Sequence, residues 1–287
     1  MDFLQLRYFK KVAELESMSR AAEELMVSQP SLSKVVKNLE GELGTSLFDR
    51  KGRNIELNQN GRILLKHANA ILRHMEDARA EIRDATTRKA GKVTLSSQAA
   101  TGLLPDILFA FHEVFPAIQI IVTHKTSLLQ DGSDFFLFAS REKLEDPTVR
   151  CLLKERCVLA MSPENPLAAK EELTLDDLRN QDFLILQNKR SLSQMLFQFC
   201  EEAGFTQHVV MQCDVQSAVF NMIEHNMGVS FVAEKSWSIP HSSNIVLRPI
   251  HHNGAYRYIY LRDRKDGYIS EPARLFDHFL IRYFEKL

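Results

Sequence analysis

The chain is poor in the residues that staple, kink or loosen a fold. Its 287 residues include four cysteines, nine prolines, eleven glycines and one tryptophan. Cys151, Cys157, Cys200 and Cys213 stand apart. With no C-x-x-C pair and no histidine at metal spacing, they give neither a disulfide framework nor a zinc site. Buried thiols acting as small hydrophobes are the expectation. His251-His252 is the one adjacent histidine pair, and neighbours on a strand point to opposite faces, which suits a metal poorly. No metal and no cofactor is therefore expected. No run of 18 apolar residues occurs, so no segment reads as membrane-spanning. The stretch Met1–Arg7 lacks the basic-then-apolar order of a signal peptide, and the expected location is the cytoplasm. Catalytic signatures are missing too. There is no G-x-S-x-G, H-E-x-x-H, P-loop or dinucleotide fingerprint, so an enzyme is not the expectation.

An excess of one charge is also lacking. Thirty-six Lys and Arg face 37 Asp and Glu, for a net charge of −1, which by itself advertises no nucleic-acid partner. The regions differ, however. Residues 1–90 carry 16 basic and 13 acidic side chains, whereas residues 91–287 carry 20 and 24. A modestly basic head precedes an acidic body.

What is present is an ordinary globular composition, 45% hydrophobic and 25% charged, with length for two or more domains. Residues 1–60 hold short helical segments. Leu6, Phe9 and Ala13 recur at helical spacing, Ala21–Leu25 follows, and Leu32, Val35, Val36, Leu39 and Leu43 form a third apolar stripe. Ser28 is placed to cap that third helix, Pro30 sits in its first turn and Gly44 ends it. Two short helices joined by Met26-Val27-Ser28 match a helix-turn-helix, whose second helix enters the major groove. Opposite the stripe lie Gln29, Ser31, Ser33, Lys34, Lys37 and Asn38, and no carboxylate occurs between Glu24 and Glu40. Glutamine reads base edges, small serines permit close approach and lysine meets phosphate. The basic turn Arg50-Lys51-Gly52-Arg53 before Ile55-Glu56-Leu57 reads as a wing.

From 61 to 90 the period changes. Leu64, Ala68, Ile71, Met75, Ala78 and Ile82 alternate in steps of four and three, an a/d seam that predicts a linker helix about 40 Å long and a dimer contact. Packing on its own chain is the alternative for that seam. Beyond Gly91 the pattern is β-α-β, with strands at 93–95, 118–123, 135–139, 158–161, 183–186, 229–233, 245–247 and 256–261. Helices are expected at 104–112, 192–203, 215–226 and from Pro272 onward. Such alternation predicts a mainly parallel sheet flanked by helices, split into two α/β lobes.

The head resembles the winged helix-turn-helix of the LysR-type transcriptional regulators. The shared residues are Ser19-Arg20-Ala21-Ala22, Leu25, Ser28-Gln29-Pro30-Ser31-Leu32-Ser33, Leu39-Glu40, Leu43-Gly44 and Leu47-Phe48-Asp49-Arg50. Asn58 and Asn60 stand where the family commonly has Thr and Ala. The likeness continues through Gly91-Lys92-Val93, Gly102-Leu103-Leu104-Pro105, Phe115-Pro116 and Ser162–Leu167. It implies an α-helical winged helix-turn-helix at 1–60, a linker and dimerisation helix at 61–90 and an effector-binding domain at 91–287. That domain would be two α/β lobes resembling periplasmic binding proteins, lobe I at 91–154 and 262–287 and lobe II at 155–261. By resemblance, Arg20, Gln29, Pro30, Ser31, Ser33, Lys34 and Lys37 would meet DNA from the helices, and Arg50 and Arg53 from the wing. Ser97, Gln98, Thr101, Ser127, Gln187 and Gln216 would line the effector cleft. Three departures stand out. The segment 124–134 is too short for the family's usual helix, its paired-glycine motif is Asn226-Met227-Gly228, and Ala233 replaces a common proline.

The resemblance implies a DNA-binding transcriptional regulator controlled by a small-molecule effector held between the lobes. Its partners would be double-stranded operator DNA, a metabolite, further copies of itself as homodimer or homotetramer, and RNA polymerase, with no membrane. The alternative is a DNA-binding structural protein with a vestigial, ligand-free C-terminal half.

Overall fold

The computed structural model describes residues 1–51, 54–86, 91–123, 133–186, 191–239, 243–264 and 267–287. They fall into two compact units, one built from 1–86 with 267–271, the other from the remainder.

The first unit opens with three helices, α1 (Phe3–Leu15), α2 (Met18–Glu24) and α3 (Gln29–Leu43). Each start is fixed by a side chain that satisfies an otherwise orphan amide. Asp2 and Gln5 form a reciprocal capping box on α1, Ser17 Oγ accepts from Arg20 N, and Ser28 Oγ accepts from Ser31 N. Glycine is required at the end of α3, where Gly44 takes φ +67°. Leu32 and Val36 pack on Val12, Ala21 and Ala22, while Leu39 joins Leu6, Phe9 and Leu47. The hairpin of β1 (Phe48–Lys51) and β2 (Asn54–Leu57) pairs antiparallel, Phe48 opposite Leu57. It is held to α1 by Leu57 N donating to Glu16 Oε1 at 3.1 Å.

Helix α4 (Gln59–Thr86) starts two residues before the expected 61. Asn58 explains the difference, because its Oδ1 accepts from Gly61 N at 2.9 Å and its Nδ2 donates to Ser46 O at 3.0 Å. Residues 87–90 lie outside the described residues. At 28 residues the helix is about 42 Å long. Asp84 near its end accepts from Tyr268 Oη at 3.1 Å and Glu271 N at 2.7 Å, which ties 267–271 to the helix.

The second unit contains β3 (Gly91–Ser97), α5 (Leu104–Val114), β4 (Ile118–Thr123), β5 (Phe135–Ser140), β6 (Val149–Met161), β7 (Asp182–Leu186), α6 (Ser191–Glu202), β8 (His208–Cys213), α7 (Gln216–Glu224), β9 (Ser230–Ala233), β10 (Val246–Pro249), β11 (Tyr256–Asp263) and α8 (Glu271–Phe284). Two cores lie within it. Val93, Leu95, Ile107, Phe111, Leu137, Leu261 and Phe276 form the first, and Leu159, Met161, Phe183, Phe199, Val219 and Val232 the second. Two lobes are expected, but the return crossing comes earlier than the expected 262, because Ile259 and Leu261 of β11 already pack in the first core.

The sheet corrects the expectation of mainly parallel pairing. Strands β3–β4, β3–β5 and β7–β8 are parallel, but β6 runs antiparallel to β9, β10 and β11, and β11 antiparallel to β5. The cause is connectivity: β6 carries the chain from the first core to the second and β11 brings it back. Strand β6 is also longer than the expected 158–161. Its first half carries Arg150, Lys154, Glu155 and Arg156, whose charges break the apolar run. Strand β8 is absent from the sequence reading because it has no fully buried residue.

Candidate nucleic-acid interface and effector cleft

Helix α2 ends in a tight turn in which Val27 N donates to Ala22 O at 3.0 Å and Met26 N to Glu23 O at 3.1 Å. This closure sets α3 across α2 and leaves the start of α3 in solvent. Gln29, Pro30, Ser31, Lys34, Lys37 and Asn38 are exposed, and Ser33 is half-buried. Arg20, on α2, is exposed as well. Among the described residues no ion pair engages Lys34 or Lys37, so both ammonium groups are free for phosphate. The nearest upstream carboxylate is neutralised: Lys11 Nζ lies 2.9 Å from Glu24, and its hydrogen bond and charge hold the Glu24 carboxyl below the usual range. An acid-free, donor-rich helix face thus projects from a rigid three-helix base. In the wing, Arg50 sits on β1 opposite Ile55; its side chain and the whole of Arg53 lie outside the described residues.

The expected dimer seam divides. Ala68 is 0% exposed and packs with Leu72, Leu6, Phe9 and Leu47, with Leu64 beside them. Those two positions serve the head's own core, the alternative weighed for the seam, and Ala68 is closed to a partner. Farther along, Met75 is half-buried, Ala78 is exposed, and Ile71 and Ile82 are 36% and 67% exposed.

In the second unit, Ser97, Gln98 and Thr101 follow β3 as expected. Ser97 Oγ donates to Ala99 O at 2.7 Å, Gln98 N donates to Leu137 O at 2.8 Å, and Thr101 Oγ1 donates to Gln216 Oε1 at 3.2 Å. Gln216 in turn donates through Nε2 to Trp237 O. Four of the six expected cleft residues are thereby placed, and Thr101 and Gln216 meet across the two cores. Ser127 and Gln187 lie outside the described residues. Neither α5 nor α7 has a side-chain cap at its N-terminus, which leaves first-turn N–H groups available to an anion beside this contact. The loop is held close: a Cβ on Gly102 would lie 2.7 Å from the Trp237 carbonyl. Asn226 takes the left-handed turn at φ +54°, and a Cβ on Gly228 would fall 2.5 Å from Asp182 O. The altered glycine motif therefore keeps glycine where backbone approaches and asparagine where only αL is required.

One group escaped the sequence reading. Glu155 on β6 and Arg257 on β11 face each other in register, with side chains 0% and 5% exposed and Nε to Oε1 at 2.8 Å. Ser236 completes the set: its N–H donates to Glu155 Oε2 at 2.9 Å, its hydroxyl to Oε1 at 2.7 Å, and Arg257 Nη2 donates to its Oγ at 2.6 Å. The available signal was parity, since Glu155 shares a strand face with Leu153 and Cys157, and Arg257 the parity of Ala255 and Ile259. Among the described residues no group of three His, Cys, Asp or Glu is placed to hold a metal, and no helix is long and apolar enough to cross a membrane.

A helix-turn-helix with a hairpin wing, a long helix and two α/β lobes around a polar contact together define a DNA-binding regulator with a ligand-sensing body. Comparison with known proteins gives the family. Residues 3–62 match the model of the bacterial regulatory helix-turn-helix protein, lysR family, and residues 86–285 that of the LysR substrate binding domain. The transcriptional dual regulator GltC of Bacillus subtilis is 30% identical, over the whole of this chain and 99% of its own. Among solved structures, a full-length OxyR variant from Pseudomonas aeruginosa has a TM-score of 0.69 at 21% identity, covering 99% of this chain and 95% of its own. CbnR complexed with its target DNA has 0.67 at 24%, covering 98% and 99%. The chain belongs to the LysR family of transcriptional regulators, a family of regulators and not of enzymes.

Proposed function

We propose that the chain binds a dyad-symmetric operator as a homodimer or homotetramer, through Arg20, Gln29, Pro30, Ser31, Ser33, Lys34 and Lys37 of the helices and Arg50 and Arg53 of the wing. Residues 1–60 form the DNA-binding domain, the linker helix to 90 the dimerisation element, and 91–287 the effector-binding domain, whose two lobes exchange the chain along β6 and β11. The observation that carries this is the exposed face of α3 from Gln29 to Asn38, which holds no acid and, among the described residues, no ion pair. Base-edge readers near its N-terminus and lysines behind them are the order a major-groove helix needs. Pairing runs through Ile71, Met75, Ala78 and Ile82, and RNA polymerase is the further partner in the cytoplasm.

The effector is a small anionic metabolite, bound by Ser97, Gln98, Thr101, Ser127, Gln187 and Gln216 beside the two uncapped helix ends. Thr101 and Gln216 exchange their mutual bond for bonds to it, so the ligand biases two arrangements of the lobes by its differential affinity. The family match over 86–285 is to a substrate-binding domain, which supports this reading over a ligand-free C-terminal half. Retardation of promoter DNA by the purified chain tests the first part. Arg50→Ala is expected to weaken binding uniformly across sequences and to lower the salt slope by about 1. Specific binding unchanged by that substitution removes the wing from the interface. Thermal shift against a panel of carboxylates, phosphates and amines tests the second, since a ligand of the native state raises the melting temperature.

A further inference from the structure

We infer that Met26 reads a thymine methyl group within each operator half-site. The inference rests on the DNA-binding reading of the head. It begins from a conflict between a residue and its backbone. The turn after α2 has the hydrogen bonds of a Schellman closure, Val27 N to Ala22 O and Met26 N to Glu23 O. This puts Met26 at the left-handed position, φ +55°. Glycine or asparagine suits that position, and other side chains strain it.

Methionine gains nothing inside the fold in return. Its side chain is 93% exposed, more than any other large hydrophobic residue described. Its neighbours Leu25 and Val27 do the packing, against Val12, Ala21, Ala22, Leu32 and Val36. Backbone preference and burial both argue against Met26, so its value lies in what approaches from outside. Two residues on, Ser28 caps α3, and Ser28, Gln29, Pro30 and Ser31 form an unbroken exposed run. That run is the end of the recognition helix, which lies nearest the base edges. The major groove offers one apolar feature there, the thymine C5 methyl. A long, unbranched and polarizable thioether adapts to such a group.

The test uses the full-length chain and a duplex that the wild-type chain selects from a random pool. Two variants, Met26→Gly and Met26→Asn, keep the left-handed turn and remove the thioether. Both are expected to melt at or above the wild type, while affinity for the selected duplex falls about fourfold per half-site, the worth of one buried methyl-sized group. Thymines are then replaced by uracil one at a time, which deletes only the methyl. One position per half-site is expected to weaken the wild type by the same factor and leave Met26→Gly unaffected, as a coupled pair requires. Variants that bind as tightly as wild type overturn the inference. So does a uracil scan with no position that depends on residue 26, which would assign the side chain to the sugar–phosphate wall. A wild-type chain that selects no duplex overturns the DNA-binding reading itself, a separate result from a selected site insensitive to Met26.

Discussion

Single side chains in this protein are sorted by burial into those that hold the fold and those offered to partners. Cysteines show the first kind. Burial pushes the Cys157 thiol up to about 12 and the Cys200 thiol to about 11, so at pH 8 almost no thiolate exists at either. Cys151 is exposed and Cys213 half-buried. Burial raises the Cys151 and Cys213 thiols too, so iodoacetamide treatment of the native chain at pH 8 is expected to label these two slowly and to spare Cys157 and Cys200 until unfolding, as read by mass spectrometry. Glu155 shows the same principle for charge. Truncation to alanine leaves Arg257 buried without its partner and is expected to cost about 3–5 kcal/mol in denaturant unfolding. Ser28→Ala removes a helix cap and is expected to cost only about 1 kcal/mol.

At the scale of elements, α4 does two jobs along one apolar seam. Leu64, Ala68 and Leu72 close the head's core, while Ile71 among them and Ile82 farther along stay exposed. Ile82→Glu is therefore expected to shift sedimentation toward monomer while the head's melting stays unchanged. Ala68→Glu puts an unpaired charge into the core and is expected to unfold the head at lower temperature. Equal effects of the two substitutions on self-association would contradict this division. A heptad pattern cannot make the distinction in advance, because a core face and a partner face obey the same period. Gly61 marks the junction: a Cβ there would lie 2.2 Å from Leu47 O, a close approach that no periodicity reveals.

Across the whole molecule, what was legible followed the strength of local signals. The caps Ser28 and Gly44 and the exposed face of α3 were readable because each depends on neighbours in sequence. The parallel β-α-β units were readable for the same reason. Strand β6 was only partly so and β8 not at all, because a charged first half and a half-exposed edge dilute the hydrophobic pattern. The Thr101–Gln216 and Glu155–Arg257 pairs join residues about a hundred positions apart, and their meeting is a product of topology. Ala68 was misplaced because burial within one chain and burial between chains look alike in a lone sequence.

Strand β6 passes without interruption from one lobe to the other. Leu153 belongs to the first core and Cys157 to Met161 to the second, with the Glu155–Arg257 pair between them. Neither core can lose its part of this strand without disturbing the register that the other relies on. Heating is therefore expected to melt both lobes in one cooperative calorimetric transition, with van't Hoff and calorimetric enthalpies in agreement for residues 91–287. Two resolved transitions within that segment would show that the lobes fold as separate units. Glu155→Ala, placed at the crossing, is the substitution expected to divide the single transition into two.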